Sequence, residues 1–168
     1  MSRAVRYQRF VEGKTEKRLI EELKRVGKMI RSGNVNVINV MQKKLPNHVL
    51  TNLVENTIVI LVFDTDIKTT EILTENITRL KKCRGVKDIW CVMQVENLED
   101  ELIRSTDVHE IRELIGCKSN TDFKREMLRE KRLMEKLKAH HFSLEKMWSI
   151  DPDNIFKQYE NQGYKIKL

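Results

Sequence analysis

The chain has 168 residues, of which 40% are hydrophobic and 34% are charged, and its net charge at neutral pH is +7. This length favours one domain, or one domain with a helical appendage, that needs no disulfide or structural metal to fold. No segment approaches the roughly 20 apolar residues that span a bilayer, and the first residues lack the apolar core of a signal peptide, so we expect a cytoplasmic protein without a membrane partner.

Alternating strands and helices are predicted over the first part of the chain. The segment TIVILVF at 57–63 is apolar on both faces, which is typical of a central parallel strand that helices cover on both sides. Apolar residues at helical spacing indicate a helix from 16 to 31, with Thr15 as its N-cap. Further strands are predicted at 6–11, 35–40 and 88–95. The alternation predicts an α/β fold with a mostly parallel four-stranded sheet flanked by helices.

From Glu96 onward the pattern changes to helices, which predicts a C-terminal helical extension packed on the sheet. We place the boundary so that residues 1–104 form the sheet domain and 105–168 the extension. The longest predicted helix covers 123–139, and the tail 163–168 alternates apolar and polar residues in the manner of an edge strand.

Basic residues are concentrated between Lys118 and His141. They can form a surface that attracts the phosphates of nucleic acid. They can equally be the solvated face of an amphipathic helix, because acids at helical spacing are available to pair with them. The basic residues are Lys124, Arg125, Arg129, Lys131, Arg132, Lys136 and Lys138, and the acids are Glu126, Glu130 and Glu135.

Three acidic residues follow two of the predicted strands. Glu12 follows the first strand, and Asp64 and Asp66 follow the strand at 57–63. Ligands of open parallel sheets bind beyond the carboxyl ends of the strands, and side chains two apart on a strand point to the same side. These carboxylates can therefore bind a hard divalent cation such as Mg²⁺, which prefers oxygen ligands and substrate phosphates. Acids are also common at strand ends because loops are polar, so the pattern leaves both interpretations open.

The segments around these acids resemble two motifs of the Toprim superfamily. FVEGKTEKRLIEEL at 10–23 is similar to the first motif, especially in the EGxTE form of OLD-family nucleases and 5S ribosomal RNA maturases. LVFDTD at 61–66 is similar to the second motif, which carries the DxD. The resemblance covers roughly residues 5–100 and implies a Toprim-like fold.

The resemblance also implies roles for the matching residues. Glu12 would be the general acid/base or a metal ligand, and Asp64 and Asp66 would bind Mg²⁺, with Mn²⁺ as an alternative ion. Gly13 would form the tight turn beneath Glu12. Lys14 would contact a substrate phosphate, or else be an ordinary solvated lysine.

Four further positions complete the expected site. Many Toprim proteins carry a third acid, as DxDxD, where this chain has Lys68, which we place among the substrate-binding residues. A second metal ion would then need an acid from elsewhere, and Glu96 or Glu99, after the fourth strand, are the candidates. Glu16 matches the second acid of EGxTE, which joins the metal site in some members. Alternatively, Glu16 is a first-turn acid that complements the helix dipole.

These features predict a Mg²⁺-dependent nuclease that cleaves phosphodiester bonds in DNA or RNA. A primase-like nucleotidyl transferase and a non-catalytic nucleic-acid-binding Toprim module are the alternatives. Because the chain has no GxxxxGK[ST] sequence, an ATPase of the kind that regulates OLD-type cleavage would have to be a separate partner.

Overall fold

A sheet of four parallel strands organises the computed structural model, which describes residues 3–152 and 154–168. The spatial order of the strands is β2-β1-β3-β4. Their bounds are β1, Arg6–Val11; β2, Asn34–Val37; β3, Thr57–Asp64; and β4, Val86–Gln94. The prediction of an α/β fold, with a parallel four-stranded sheet flanked by helices and followed by C-terminal helices, is confirmed.

The central strand β3 is buried along its whole length, as its apolar sequence predicts. Its residues alternate between two hydrophobic cores, one on each face of the sheet. Ile60 and Val62 pack in one core, and Leu61 and Phe63 pack in the other. Each fully buried side chain of this kind contributes roughly 1.5–3 kcal/mol to stability, so β3 holds the two faces of the fold together.

Helices cover both faces of the sheet and recur through the C-terminal region. Their bounds are α1, Lys14–Arg25; α2, Asn47–Thr51; α3, Glu71–Lys81; α4, Leu98–Arg104; α5, Ile111–Ile115; α6, Phe123–Arg129; α7, Leu133–Ala139; and α8, Gly163–Ile166. No helix within the described residues is long and apolar enough to cross a membrane. One core cluster contains side chains from before and after residue 104, and the domain boundary at that residue stays a prediction.

Helix α1 begins and ends earlier than the predicted 16–31. Gly13, not Thr15, is its N-cap residue, and Thr15 is buried in the first turn. The helix ends at Arg25 because the chain turns after it: the backbone N–H groups of Val26 and Gly27 both donate to the carbonyl of Glu22. Lys28 then adopts the left-handed conformation (φ 50°), which no continuing helix permits.

One helix is predicted over 123–139, but the chain forms two, α6 and α7, because residues of α1 bind the backbone between them. Glu130 has an extended backbone, and its carbonyl accepts a hydrogen bond from Nη2 of Arg18 (2.7 Å). The backbone N–H of Met134, in the first turn of α7, donates to Oε1 of Glu22 (3.1 Å). Arg18 and Glu22 also pair with each other (2.6 Å). Contacts from 112 residues away therefore break the local helical pattern.

The predicted edge strand at 163–168 is wrong. This segment contains the short helix α8, and only an isolated antiparallel bridge joins Lys167 to Ile30 in the described part of the tail. The residues just before α8 instead cover the exposed edge of β4. Gln162 exchanges two hydrogen bonds with the backbone of Cys91 (2.7 and 2.9 Å), and the side chain of Asn161 exchanges two with that of Met93 (3.0 and 3.2 Å). This cover removes an unpaired edge that otherwise invites aggregation.

Candidate active site

Two of the predicted acids meet where adjacent parallel strands end. Asp64 is the last residue of β3, and Glu12 directly follows the neighbouring strand β1. The backbone N–H of Asp64 donates to Oε2 of Glu12 (3.0 Å). Parallel strands present their carboxyl ends at one edge, so residues 52 positions apart in sequence form one site.

Gln94 is the third member of this cluster, and the sequence analysis missed it. It ends β4, lies directly beside Asp64 in the strand register and is fully buried. Its Nε2 donates to Oδ1 of Asp64 (2.6 Å). The available signal is an amide that directly follows the apolar run IWCVM of the strand DIWCVMQV. A buried amide needs partners for both of its ends, which marks Gln94 as part of a polar site.

Burial and neighbouring negative charge oppose ionisation of both acids. Burial raises the pKa of Asp64 to about 8, with a further contribution from the charge of Glu12, while the hydrogen bond from Gln94 acts in the opposite direction. Burial also raises the pKa of Glu12, and the charges of Glu16 and Asp66 add to this effect. At neutral pH the metal-free Glu12–Asp64 pair therefore retains a proton. A bound cation would relieve the same repulsion.

Glu16 lies in the first turn of α1 and belongs to the same cluster. Its side chain is buried, and Oε2 accepts a hydrogen bond from Oγ1 of Thr15 (3.2 Å). A Cβ at Gly13 would lie 3.0 Å from that same Oε2. The chain bends at Glu12 and Gly13, but the backbone of Gly13 is extended (φ −151°), a conformation that any residue adopts. What Gly13 provides is space for the Glu16 carboxylate.

Asp66 does not join Asp64 in the way that strand alternation predicts. Strand β3 ends at Asp64, the chain bends at Thr65, and Asp66 is exposed. The period-two argument fails there because it holds only while the strand continues. Asp66 is nevertheless close enough for its charge to raise the pKa of Glu12 and of Asp64.

The residues after β4 add a lysine to the acidic edge. Nζ of Lys124, on α6, lies 3.5 Å from Oε1 of Glu99. Burial lowers the pKa of Lys124, but the charges of Glu99, Glu16 and Asp64 outweigh this effect and raise it above its ordinary value. Glu99 thus lies near the acidic edge, as predicted for a metal ligand, but its partner there is the amino group of Lys124.

The remaining predicted residues are at the surface. Lys14, Lys68 and Glu96 are exposed. Glu96 has a left-handed backbone (φ 68°), and its N–H donates to Oγ1 of Thr65 (2.9 Å). Their predicted roles in binding substrate or metal stay predictions.

Part of the basic surface of α6 and α7 is paired with acids of the same region. Arg125 lies 2.9 Å from Asp122 and 3.2 Å from Glu126, and Arg129 lies 3.7 Å from Glu126. These contacts match the interpretation of an amphipathic helix with a solvated face. Lys124 differs from its neighbours because its amino group faces the acidic edge.

The donor set fits a hard cation only in part. Across the described ranges, no three His, Cys, Asp or Glu side chains converge closely enough to form a ready metal cage. Mg²⁺ commonly takes just one or two carboxylates and completes its shell with water and substrate phosphates. Glu12 and Asp64 supply two carboxylates whose remaining oxygens suit such an ion or Mn²⁺.

Comparisons with protein-family models, with curated proteins and with solved structures found no significant match. The Toprim resemblance therefore stays a prediction that rests on the two sequence motifs.

Proposed function

We propose that this chain is a Mg²⁺-dependent nuclease that hydrolyses phosphodiester bonds in DNA or RNA at the edge formed by Glu12 and Asp64. The observation that carries the proposal is the contact between the half-buried Glu12 and the buried Asp64 at the ends of adjacent strands. The match of their sequence segments to the Toprim motifs supports the same chemistry.

A purely structural role accounts poorly for this pair of acids. Buried carboxylates are normally paired with a cation or protonated. No salt bridge found in the described part of the chain includes Glu12 or Asp64. Both acids have raised pKa values instead, so the fold tolerates a costly arrangement. Perturbed acids that meet at a ligand-binding edge are typical of functional sites.

Four residues of the site would have separate roles in the reaction. Glu12 and Asp64 would hold Mg²⁺, which when bound neutralises phosphate charge and supports the leaving oxygen. Glu12, whose pKa is raised above the ordinary value chiefly by burial, would take the proton of the attacking water. Gln94 would keep Asp64 in place, and Lys124 would attract the phosphate to the edge.

A nucleic-acid-binding module without turnover is the second candidate. Asp66 lies outside the Glu12–Asp64 contact, and Lys68 stands where many Toprim proteins carry a third acid. Such a module would act with a separate ATPase partner. A primase-like nucleotidyl transferase would instead need a nucleoside triphosphate.

The test is incubation of the full chain with plasmid, single-stranded DNA and structured RNA, in Mg²⁺, in Mn²⁺ or in EDTA. We expect cleavage in either metal and none in EDTA. Glu12→Gln is expected to slow cleavage by about 100-fold or more, because the proton acceptor is lost. The matched control is Glu135→Gln on the exposed surface of α7, which should leave the rate unchanged.

The other outcomes contradict the proposed site or support one of the alternative functions. Cleavage that persists in EDTA, or in Glu12→Gln, contradicts the proposed site. Incorporation of labelled nucleotides supports the transferase. Binding of the same nucleic acids without turnover supports the module.

Gly13→Ala tests the role of Glu16. The added Cβ would press on the Glu16 carboxylate at 3.0 Å, while the extended backbone accepts alanine. We expect slower cleavage with a change in unfolding free energy of about 1 kcal/mol or less, measured by urea denaturation.

The matched control for Gly13→Ala is Gly116→Ala, at the end of α5. Gly116 has a left-handed backbone (φ 74°) with open space around the added Cβ. This variant should lose about 1 kcal/mol of stability and keep its cleavage rate. If Gly13→Ala cleaves as fast as the unmodified chain, Glu16 has no part in the reaction.

A further inference from the structure

Trp148 and Asp64 contact opposite ends of the same amide, that of Gln94. Nε2 of Gln94 donates to Oδ1 of Asp64 (2.6 Å), and Oε1 of Gln94 accepts from Nε1 of Trp148 (3.3 Å). All three residues are buried, and Gln94 is fully so. The indole N–H is only a donor. It therefore fixes the amide oxygen on its own side and leaves the amide hydrogens to Asp64.

The orientation of this amide decides what Asp64 presents to the site. If the amide turned over, its oxygen would lie against Asp64, and in the deprotonated form that binds a metal ion repulsion would move one of the two groups. With Trp148 present, Oδ1 of Asp64 has a fixed partner, and Oδ2 is the oxygen left for a ligand. Groups that hold a ligand in this way strongly affect the properties of metal sites.

Trp148 is itself held in a strained position. Its backbone is left-handed (φ 53°), a conformation that a bulky residue rarely adopts. Its N–H donates to Oε2 of Glu101 (3.0 Å), while Oε1 of Glu101 accepts from the N–H of Val95 (3.0 Å), next to Gln94. Gly163 packs against Trp148 so closely that a Cβ there would lie 2.3 Å from its carbonyl oxygen. Strain of this kind persists where the surroundings enforce it.

We propose that Gln94 is a positioning residue that aims Asp64 into the nuclease site, and that Trp148 fixes the orientation of Gln94. This inference rests on the proposed function. It assigns the C-terminal segment around Trp148 a part in the site, although that segment contributes no predicted ligand. The chain of contacts runs from Trp148 through Gln94 to Asp64.

The test compares Gln94→Met, Trp148→Phe and the double variant, with Mn²⁺ affinity from calorimetry and cleavage kinetics as readouts. Gln94→Met keeps the side-chain size and removes both hydrogen bonds. It should weaken Mn²⁺ binding by about 10-fold or more and lower kcat, with little change in KM for nucleic acid. Trp148→Phe should weaken binding in the same direction by a smaller factor.

The double variant separates positioning from general damage to the fold. If Trp148 acts through Gln94, the double variant binds Mn²⁺ no worse than Gln94→Met alone, because the second change has nothing left to disturb. If each change instead damaged the fold independently, the two losses of Mn²⁺ affinity would add in the double variant. Trp90→Phe is the matched control: it removes an indole hydrogen bond to Asp88 (2.8 Å), away from the site, and should leave Mn²⁺ affinity unchanged.

The outcomes distinguish this proposal from the proposed function. A chain that binds Mn²⁺ with the same affinity after Gln94→Met overturns the positioning role alone. An unmodified chain that neither binds Mn²⁺ nor cleaves overturns the proposed function. In that case the indole ¹⁵N–¹H resonance of Trp148 decides whether the link exists. We expect Asp64→Asn to shift this resonance in the unmodified chain but not when it is added to Gln94→Met. Any other result overturns the link between Trp148 and Asp64 as well.

Discussion

Asp64→Asn is expected to make the metal-free protein more stable at about pH 8, by roughly 2–5 kcal/mol, while abolishing metal-dependent cleavage. Folded Asp64 holds its proton up to a pKa of about 8, whereas an unfolded aspartate loses it near pH 4. Between these values the folded state binds a proton that the unfolded state has lost. Stability therefore falls as pH rises through this window, and it stays low above the folded pKa.

Asparagine escapes this penalty because it does not ionise. Its amide oxygen can accept from Gln94 as Oδ1 does, and its amide nitrogen can donate to Glu12 as a protonated aspartate would. The two proteins should therefore be equally stable near pH 4 and differ most near pH 8. Urea denaturation in EDTA across this range measures the difference.

Added Mg²⁺ should reverse the comparison near pH 8. Metal binding to the folded protein requires the deprotonated carboxylate and stabilises the folded state by mass action. The unmodified chain should gain stability, and the variant should not.

Asp88→Asn is the control for this prediction. Asp88 lies near the other end of β4, where it accepts hydrogen bonds from the N–H of Ile89 and the indole of Trp90. It should show no gain that grows with pH. The raised pKa of Asp64 would be contradicted if the Asp64→Asn protein were less stable than the unmodified chain near pH 8. It would also be contradicted if the difference in unfolding free energy between the two did not vary with pH.

The sheet could be predicted from sequence because its signals are local. Strand β3 is apolar on both faces, and this pattern alone indicates a central parallel strand. Helix ends were less predictable, because distant residues set them. The break after Arg129 depends on Arg18 and Glu22 of α1, and no pattern within 123–139 contains that information.

The same distinction divides the candidate site. Glu12 and Asp64 meet because parallel strands end at one edge, which the sequence pattern implies. Asp66 does not follow its predicted direction, because the exact end of a strand is not encoded in its alternation. The partnership of Gln94 with Trp148 spans 54 residues and arises only from tertiary packing. Sequence therefore predicts the acids, and structure adds the residues that hold them.

Glu101→Gln is expected to lower the free energy of unfolding by roughly 3–5 kcal/mol. Glu101 is fully buried, and each of its carboxylate oxygens accepts a backbone N–H, one from Val95 and one from Trp148 (both 3.0 Å). Glu101 also pairs with Arg104 (3.0 Å). A glutamine keeps the size of the side chain, but its amide nitrogen cannot accept a hydrogen bond. One backbone N–H would be left buried without a partner, and Arg104 would lose its counter-charge.

Glu135→Gln is the matched control, because Glu135 pairs with Arg132 at the same three-residue spacing but on the surface, at 3.9 Å. Exposed pairs of this kind contribute little, so the control should lose about 0.5 kcal/mol or less in urea denaturation. If Glu101→Gln falls within about 1 kcal/mol of the control, the buried carboxylate is not what joins the end of β4 to Trp148. If the large loss is observed, the carboxylate that stabilises the C-terminal segment is also the one that holds Trp148 against Gln94. The stability of the fold and the placement of Asp64 then depend on the same contact.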